Sequence, residues 1–483
     1  MKITDVLKNI PVLAWHCDPE AEVTGICYDS RRVTPGCAFA AVRGFAADGH
    51  RFIPAAAAAG AALILAEEPP TVEVPYVLVE NSRRAMAQAA ANFYGNPQKK
   101  LKMVGVTGTN GKTTTTHLLK TVLETAGYKC GLIGTNGIRI GDRHIPGQRT
   151  TPESCDLFAL LAEMVAAGCT HVLMEVSSHS LVLDRVFGIT FDVAAFTNLT
   201  QDHLDFHGDM ESYYRAKALL FDRCRVGVIN VDDAYGRRLR QEYPAQSFVT
   251  CSAEGDDALL TAKNVLLRAD RVQFEAVCGT DIARVRLGIP GQFSVYNALT
   301  VIGCSLCLGL TLEDAAAGLQ QAKGVLGRAE VVPADTDYTI LIDYAHTPDS
   351  MEKILRCVRP GTPGRVIALF GAGGNRDAAK RPIMGQVGGM LADICILTSD
   401  NPRDEDPLEI IRQVETGAKG HHAKLHIVPD RREAIAYAMQ LAKKGDTLLL
   451  LGKGHETYQE IGGKQLHLDE REEVARILQE QKK

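Results

Sequence analysis

Lys102-Met103-Val104-Gly105-Val106-Thr107-Gly108-Thr109-Asn110-Gly111-Lys112-Thr113-Thr114 begins as an apolar run and breaks into a glycine-flanked turn, ahead of an amphipathic stretch that reaches about Gly127. The pattern predicts a buried strand over Met103–Val106, a tight loop and then a helix. Glycines after a strand let backbone N–H groups face a ligand, and the helix N-terminus adds partial positive charge. Lys112 is spaced to reach terminal phosphates and Thr113 to ligate Mg²⁺. Gly108, Thr109, Asn110, Gly111, Lys112, Thr113 and Thr114 are therefore the expected cradle for ATP or GTP. The strict spacing G-x-x-x-x-G-K-[ST] would place glycine at 106; the chain has Val106, and the nearest glycine is Gly105.

Outward from this loop, short runs rich in Val, Ile, Leu or Phe recur at His171–Val176, Phe191–Phe196 and Val226–Val231. Such runs alternating with helices predict a parallel sheet covered on both faces, which collects its ligands at the strand C-termini. Two polar segments fall there: Glu175-Val176-Ser177-Ser178-His179, and the run from Asn198 through Asp202 and His203 to His207. Glu175 and His203 could supply Mg²⁺ ligands near Thr113, since phosphoryl transfer needs its charge neutralised. On residue type alone, His203 and His207 could equally cap a turn or face solvent.

A further unit is expected after Gly324-Val325-Leu326-Gly327-Arg328, with strands at Tyr338–Ile342, Val366–Phe370, Ile394–Leu397 and Thr447–Leu451. Each empties into a polar cluster: Asp343 to Asp349 with His346, Gly371 to Asp377 with Arg376, Asp400-Asn401-Pro402-Arg403, and Gly452-Lys453-Gly454-His455-Glu456. Four such ends suggest one ligand surface. Guanidinium groups beside Asp and Glu suit a zwitterion, because they hold its carboxylate while the acids hold its ammonium. Val474, Ile477 and Leu478 predict a packed terminal helix.

Residues 1 to about 98 read as a small mixed α/β unit ending at Asn96-Pro97-Gln98-Lys99-Lys100, with Tyr28-Asp29-Ser30-Arg31-Arg32 as a solvated turn. With 483 residues the chain is too long for a single core. The 53 Lys+Arg against 58 Asp+Glu give −5, which argues against a nucleic-acid binder or a protein held to membrane by bulk charge. The Ala-rich run Ala55–Ala66 is short of the roughly 20 residues that span a bilayer. Asp5 and Lys8 interrupt the apolar start, so no secretory signal is expected. Thirteen cysteines, whose single C-x-x-C spacing, Cys304-Ser305-Leu306-Cys307, sits in an apolar helical stretch, fit reduced thiols in a cytoplasmic protein.

Taken together, TGTNGKTTT, EVSSHS, TNLTQDHLDFHG, YYRAK, DYAHTPDS, GNRD and GKGHE resemble the Mur ligase family, ATP-dependent enzymes that form the amide bonds of the peptidoglycan stem peptide. The resemblance covers essentially the whole chain and is strongest to the member that adds the third residue. It implies an α/β protein of three domains: a small mixed α/β UDP-binding domain (1–98), a central P-loop parallel-sheet domain (99–327) and a C-terminal Rossmann-like domain (328–483). It implies ATP and Mg²⁺ as cofactors, with UDP-MurNAc-L-Ala-D-Glu and meso-diaminopimelate as substrates of a cytoplasmic monomer.

By the same resemblance, Ser30 contacts the UDP moiety, against its reading as a solvated turn. Thr150, Thr151, Ser177 and Arg185 would hold the muramoyl dipeptide. Lys217, on residue type a helix-surface lysine, would be carbamylated and so become a metal-binding anion. Asn297, Asp343 and His346 would surround adenine and ribose; Arg376, Asp400, Asn401, Pro402, Arg403, Gly452 and Glu456 would take diaminopimelate. Lys112, Lys217, His203 and Glu175 would form the catalytic set. Leu183 departs from the pattern, standing where relatives often carry a substrate-contacting glutamine. Competing expectations are a sister Mur ligase, a folylpolyglutamate-synthase-like enzyme, and a P-loop ATPase with no acceptor amine.

Overall fold

The computed structural model describes residues 1–44, 47–141, 143–147, 149–255 and 257–481. The chain divides into two compact units, Met1–Cys251 with Gly303–Leu310, and Ser252–Ile302 with the chain from Thr311 onward. It is an α/β protein with several mostly parallel sheets.

The first unit begins with a five-stranded sheet in the order Val12–His16, Tyr76–Val79, Leu63–Ala66, Ala38–Ala40, Ile26–Cys27. Only the edge strand Val12–His16 runs antiparallel. Leu13, Trp15 and His16 in that strand are exposed, so its pattern lacks a buried face and sequence reading passes over it. The larger sheet stacks six parallel strands in the order Ser247–Ser252, Cys224–Asn230, Phe191–Phe196, Lys102–Thr107, His171–Glu175, Cys130–Gly134. An antiparallel hairpin, Gly137–Ile140 and Arg143–Ile145, extends it.

Lys102–Thr107 lies between His171–Glu175 and Phe191–Phe196. Val104, Val106, Leu173 and Ala195 are fully buried, which is why these strands read as unbroken apolar runs. Their C-terminal ends place the loop 108–111, Glu175 and Thr197 side by side.

The second unit contains an antiparallel meander, Leu260–Leu267, Val272–Cys278 and Asp281–Leu287. Its six-stranded sheet has the order Glu330–Val331, Thr339–Asp343, Thr447–Leu451, Val366–Phe370, Ile394–Leu397, Lys424–Ile427 and is parallel except at the short first strand. Ile340, Ile342, Ile367, Leu369, Leu448 and Leu450 pack against Ala434, Ile435 and Ala438 of one helix and Val474 and Ile477 of the helix Glu470–Gln481. Each fully buried Leu or Ile contributes about 1.5–3 kcal/mol. The terminal helix is thus part of this core, as its spacing predicts. All thirteen cysteines are free, and among the described residues no helix is long and apolar enough to cross a membrane.

Candidate active site

The phosphate loop takes its shape from its glycines. Gly108 has φ 143°, and a Cβ there would lie 1.9 Å from Thr197 Oγ1, so only glycine lets the loop lie against the neighbouring strand end. Asn198 clasps the loop: its carbonyl accepts from Thr109 N at 2.8 Å and its Oδ1 from Asn110 N at 3.0 Å. Thr197 Oγ1 donates to Asn110 O at 2.6 Å. Lys112 opens the helix Lys112–Thr125 and folds back, donating Nζ to the carbonyls of Gly108 at 2.8 Å and Thr109 at 2.9 Å.

Glu175, 1% exposed at the end of its strand, is the centre of the polar cluster. Its Oε2 accepts from Thr113 Oγ1 at 3.0 Å and from Thr135 Oγ1 at 3.1 Å, and its Oε1 accepts from Thr135 N at 2.8 Å. The same acid therefore ties the phosphate loop to the turn after Cys130–Gly134. From there the network runs to the expected dipeptide residues. Thr135 Oγ1 lies 3.1 Å from Thr150 Oγ1, and Thr151 Oγ1 donates to Glu175 O at 2.8 Å and accepts from Ser177 N at 3.2 Å. Arg185 donates to Thr151 O at 3.2 Å and pairs with the buried Glu153 at 2.8 Å. Thr150, Thr151, Ser177 and Arg185 are thus brought to one site. Thr135, which links Glu175 to Thr150, escapes sequence reading because its partners are distant in the chain, and so does Glu153, whose near partner Arg149 gives no sign of the distant Arg185.

Lys217 corrects the reading from residue type alone. It is 1% exposed, not on the helix surface, and donates Nζ to Gly108 O at 2.9 Å, with the Tyr213 ring 4.5 Å away. Burial, with Lys112 adding repulsion, drives its pKa well below the ordinary lysine range, while Asp202 opposes this. In the helix Met210–Ala218 the buried positions include Tyr213, Tyr214, Lys217 and Ala218. This one-sided spacing was the available signal.

His203 lies on the segment after Asn198, with φ 52°; its side chain is 49% exposed, and its ring centroid is 5.1 Å from that of His179. His207 Nε2 is 2.9 Å from Ser178 Oγ. Ser30 begins a single helical turn, Ser30–Arg32, whose cap Asp29 accepts from Arg31 N. Around it, Tyr28 donates to Asp156 at 2.7 Å and Arg32 pairs with Asp156 at 3.1 Å. The segment is therefore anchored, not merely a solvated turn. Asp156 belongs to the helix Ser154–Ala166 that follows Thr150 and Thr151.

In the second unit, Asp343 accepts from Ala329 N at 2.7 Å and Ala345 N at 2.8 Å. Burial raises its pKa against the pull of Arg328. His346 Nδ1 lies 2.8 Å from Tyr344 O, and Asn297 is buried on the helix Gln292–Cys307. Arg328, assigned no role from sequence, lies 5.4 Å from the Tyr344 ring.

The remaining strand ends meet around Lys453, also unassigned from sequence and fully buried. Its Nζ donates to Asn401 Oδ1 and to Tyr458 O, and pairs with Asp400 at 3.3 Å and Glu456 at 3.4 Å. Asn401 Nδ2 donates to Glu456 at 3.0 Å. Gly452, φ 111°, faces Asp400, and Pro402 is buried between Asn401 and Arg403. Arg403, φ 53°, donates to Glu460 at 2.9 Å and to Gly374 O at 2.7 Å. Arg376 is exposed on the adjoining loop, which Gly374 N ties to Asn401 O at 2.9 Å.

The family model of the Mur ligase middle domain matches residues 106–305, that of the glutamate ligase domain residues 327–454, and that of the Mur ligase catalytic domain residues 22–94. The chain is 44% identical to the UDP-N-acetylmuramoyl-L-alanyl-D-glutamate--2,6-diaminopimelate ligase of Clostridium tetani, over 99% of this chain and 100% of that one. The chain belongs to the Mur ligase family. This Mur ligase is also 45% identical, over the full length of both chains, to the same-named enzyme of Caldanaerobacter subterraneus subsp. tengcongensis. A solved structure with that name superposes with a TM-score of 0.78 at 30% identity, covering 100% of this Mur ligase and 99% of the other chain. A MurF ligase from Thermotoga maritima in complex with ADP shares the fold, with a TM-score of 0.61 at 21% identity over 94% of this chain and 97% of that one.

Proposed function

We propose that this chain is the ligase that joins meso-2,6-diaminopimelate to the D-glutamate γ-carboxylate of UDP-MurNAc-L-Ala-D-Glu at the expense of ATP, as a cytoplasmic monomer. The observation that carries this reading is full-length identity above 40% to enzymes bearing that name. Along the chain this reading assigns UDP anchoring to 1–98, ATP use to 99–327 and amino-acid capture to 328–483.

A carboxylate is a poor electrophile for an amine because its leaving group would be oxide. The γ-phosphoryl group of ATP first converts it to an acyl phosphate; the amine then attacks, and the tetrahedral intermediate expels phosphate. Lys112 orients the transferred group from the helix N-terminus, where charge on the phosphoryl oxygens is best met. Thr150, Thr151, Ser177 and Arg185 present the γ-carboxylate, and Ser30 the distant UDP end. Asn297, Asp343 and His346 hold the nucleoside.

Thr113 Oγ1 and Glu175 Oε2, 3.0 Å apart, form a hard oxygen donor pair beside the loop and so fit Mg²⁺. With His203 they would hold the ion, which supplies charge neutralisation when bound. Lys217, whose pKa burial depresses, is favoured as a neutral amine able to take up CO₂ as a carbamate with loss of one proton to solvent, so that a buried neutral group would become an anion beside the phosphate loop. Arg376 and Arg403 take the carboxylates of diaminopimelate, and Asp400 and Glu456, with Asn401, Pro402 and Gly452 shaping the pocket, take its ammonium.

The deciding experiment supplies the UDP-dipeptide and ATP with a panel of amino acids, following ADP release and amide product by mass spectrometry. Meso-diaminopimelate alone should give both at high rate. Equal ADP release with and without it, and no amide, would exclude the ligase. Preference for lysine would move the chain to a sister specificity.

A further inference from the structure

Thr135 stands between the two halves of the proposed reaction centre. Its hydroxyl lies 3.1 Å from Glu175 Oε2 on one side and 3.1 Å from Thr150 Oγ1 on the other. Its amide donates to Glu175 Oε1 at 2.8 Å. The approach is close: a Cβ on the preceding Gly134 would lie 2.2 Å from Glu175 Oε1, so the turn is built to press its backbone onto this acid.

The direction of the hydrogen bonds is fixed by counting protons. Glu175 as a carboxylate only accepts, so the single Thr135 hydroxyl proton points to Oε2. Thr150 must then donate to Thr135, and its own proton is spent inside the protein. In this state Thr150 offers a ligand only lone pairs. Whatever draws on the Oε2 lone pairs weakens the Thr135 bond to it. The Thr135 proton can then turn towards Thr150, and the Thr150 proton towards an acceptor on the dipeptide.

We propose that Thr135 is a positioning residue that couples the two substrates: cation-bound nucleotide at Glu175 reverses the Thr135–Thr150 hydrogen bond and turns Thr150 into a donor for the peptide carbonyl or carboxylate. The inference rests on the reading above, in which Glu175 faces the nucleotide and Thr150 the dipeptide. Coupling between sites is reciprocal. A single hydrogen bond gained in this way corresponds to roughly three- to tenfold in affinity.

The test is calorimetric, on the full-length protein, with a non-hydrolysable ATP analogue, Mg²⁺ and UDP-MurNAc-L-Ala-D-Glu but no amino acid. In the wild type, saturating analogue should tighten dipeptide binding about three- to tenfold, and the dipeptide should tighten the analogue by the same factor. Thr135→Val should bring the factor to about 1 while each ligand alone binds within about threefold of wild type; Thr135→Ser should retain it. In the wild type, removing Mg²⁺ should abolish the coupling, a measurement that needs no variant to fold. A wild-type factor of 1, a factor unchanged in Thr135→Val or without Mg²⁺, or a factor lost in Thr135→Ser would each overturn the proposal with the functional reading intact. Failure of the UDP-dipeptide to bind wild type would instead sink the functional reading, and the coupling with it.

Discussion

Lys112 and Lys453 each follow a glycine at the C-terminal edge of a parallel sheet, yet they are built for opposite ends. Lys112 remains partly exposed and rests on two neutral carbonyls, those of Gly108 and Thr109. Lys453 is fully buried, and its charge is answered by Asp400 and Glu456, with Asn401 and Tyr458 taking further hydrogen bonds. On the proposed reading Lys112 rests on carbonyls that a phosphate can outbid. A cation meant for scaffolding is locked by carboxylates whose desolvation makes exchange costly. On the same proposed reading the first region keeps its lysine for the ligand, and the second uses one to hold Asp400 and Glu456 in place.

The largest effect should come from breaking the second arrangement. Lys453→Met leaves two carboxylates around an uncharged side chain and should cost about 3–5 kcal/mol of stability, seen as a lower denaturant midpoint. Lys112→Met should do the reverse: an unchanged midpoint, with kcat lower by on the order of 10²–10³ in the coupled ADP assay. If the two variants lost stability alike, the contrast between working and scaffolding lysines would be wrong.

The same contrast explains what could be read from the chain. The phosphate loop was legible because strand, turn and helix are contiguous, and the residues that close it, Thr197 and Asn198, sit at the next strand's end. The four polar clusters of the second unit were legible as polar strand ends. Their internal wiring was not, since Lys453 reaches back 52 residues to Asn401 and Arg403 reaches on to Glu460. Lys217 was misjudged on residue type because a lysine is assumed to be solvated; its place in the buried stripe with Tyr213, Tyr214 and Ala218 outweighs that expectation. Thr135 carried no signal at all, because a threonine between two strands is ordinary until Glu175 is folded against it.

Arg403 lies between the two extremes and sharpens the comparison. It is paired with Glu460 but 21% exposed, so it is held by a carboxylate as Lys453 is, yet partly exposed as Lys112 is. Arg403→Ala should raise the KM for diaminopimelate by about 30-fold or more, the usual result of stripping a guanidinium from a desolvated carboxylate. The KM for ATP should hardly change. Equal changes in both constants, measured in the same assay, would place Arg403 with the scaffolding group alongside Lys453.

The smallest effect concerns the imidazoles beside the phosphate loop. Burial chiefly, then the charges of His179, Lys217 and His203, pushes the pKa of His207 down to about 4, with Asp205 opposing. In the unfolded chain the same ring titrates near 6.5. Between these values the unfolded state binds more protons than the folded one, so stability falls as pH drops from about 6.5 towards 4 and is unaffected above that window. Solvent screening around the partly exposed ring keeps the loss to about 1 kcal/mol. His207→Gln retains a hydrogen-bonding group for Ser178 but does not titrate, so its melting temperature should fall less steeply over this range. Parallel melting curves for variant and wild type would mean that the ring is freely protonated in the fold. The cluster beside Lys217 would then tolerate an added positive charge, and the burial that sets Lys217 apart from ordinary lysines would be weaker than the fold implies.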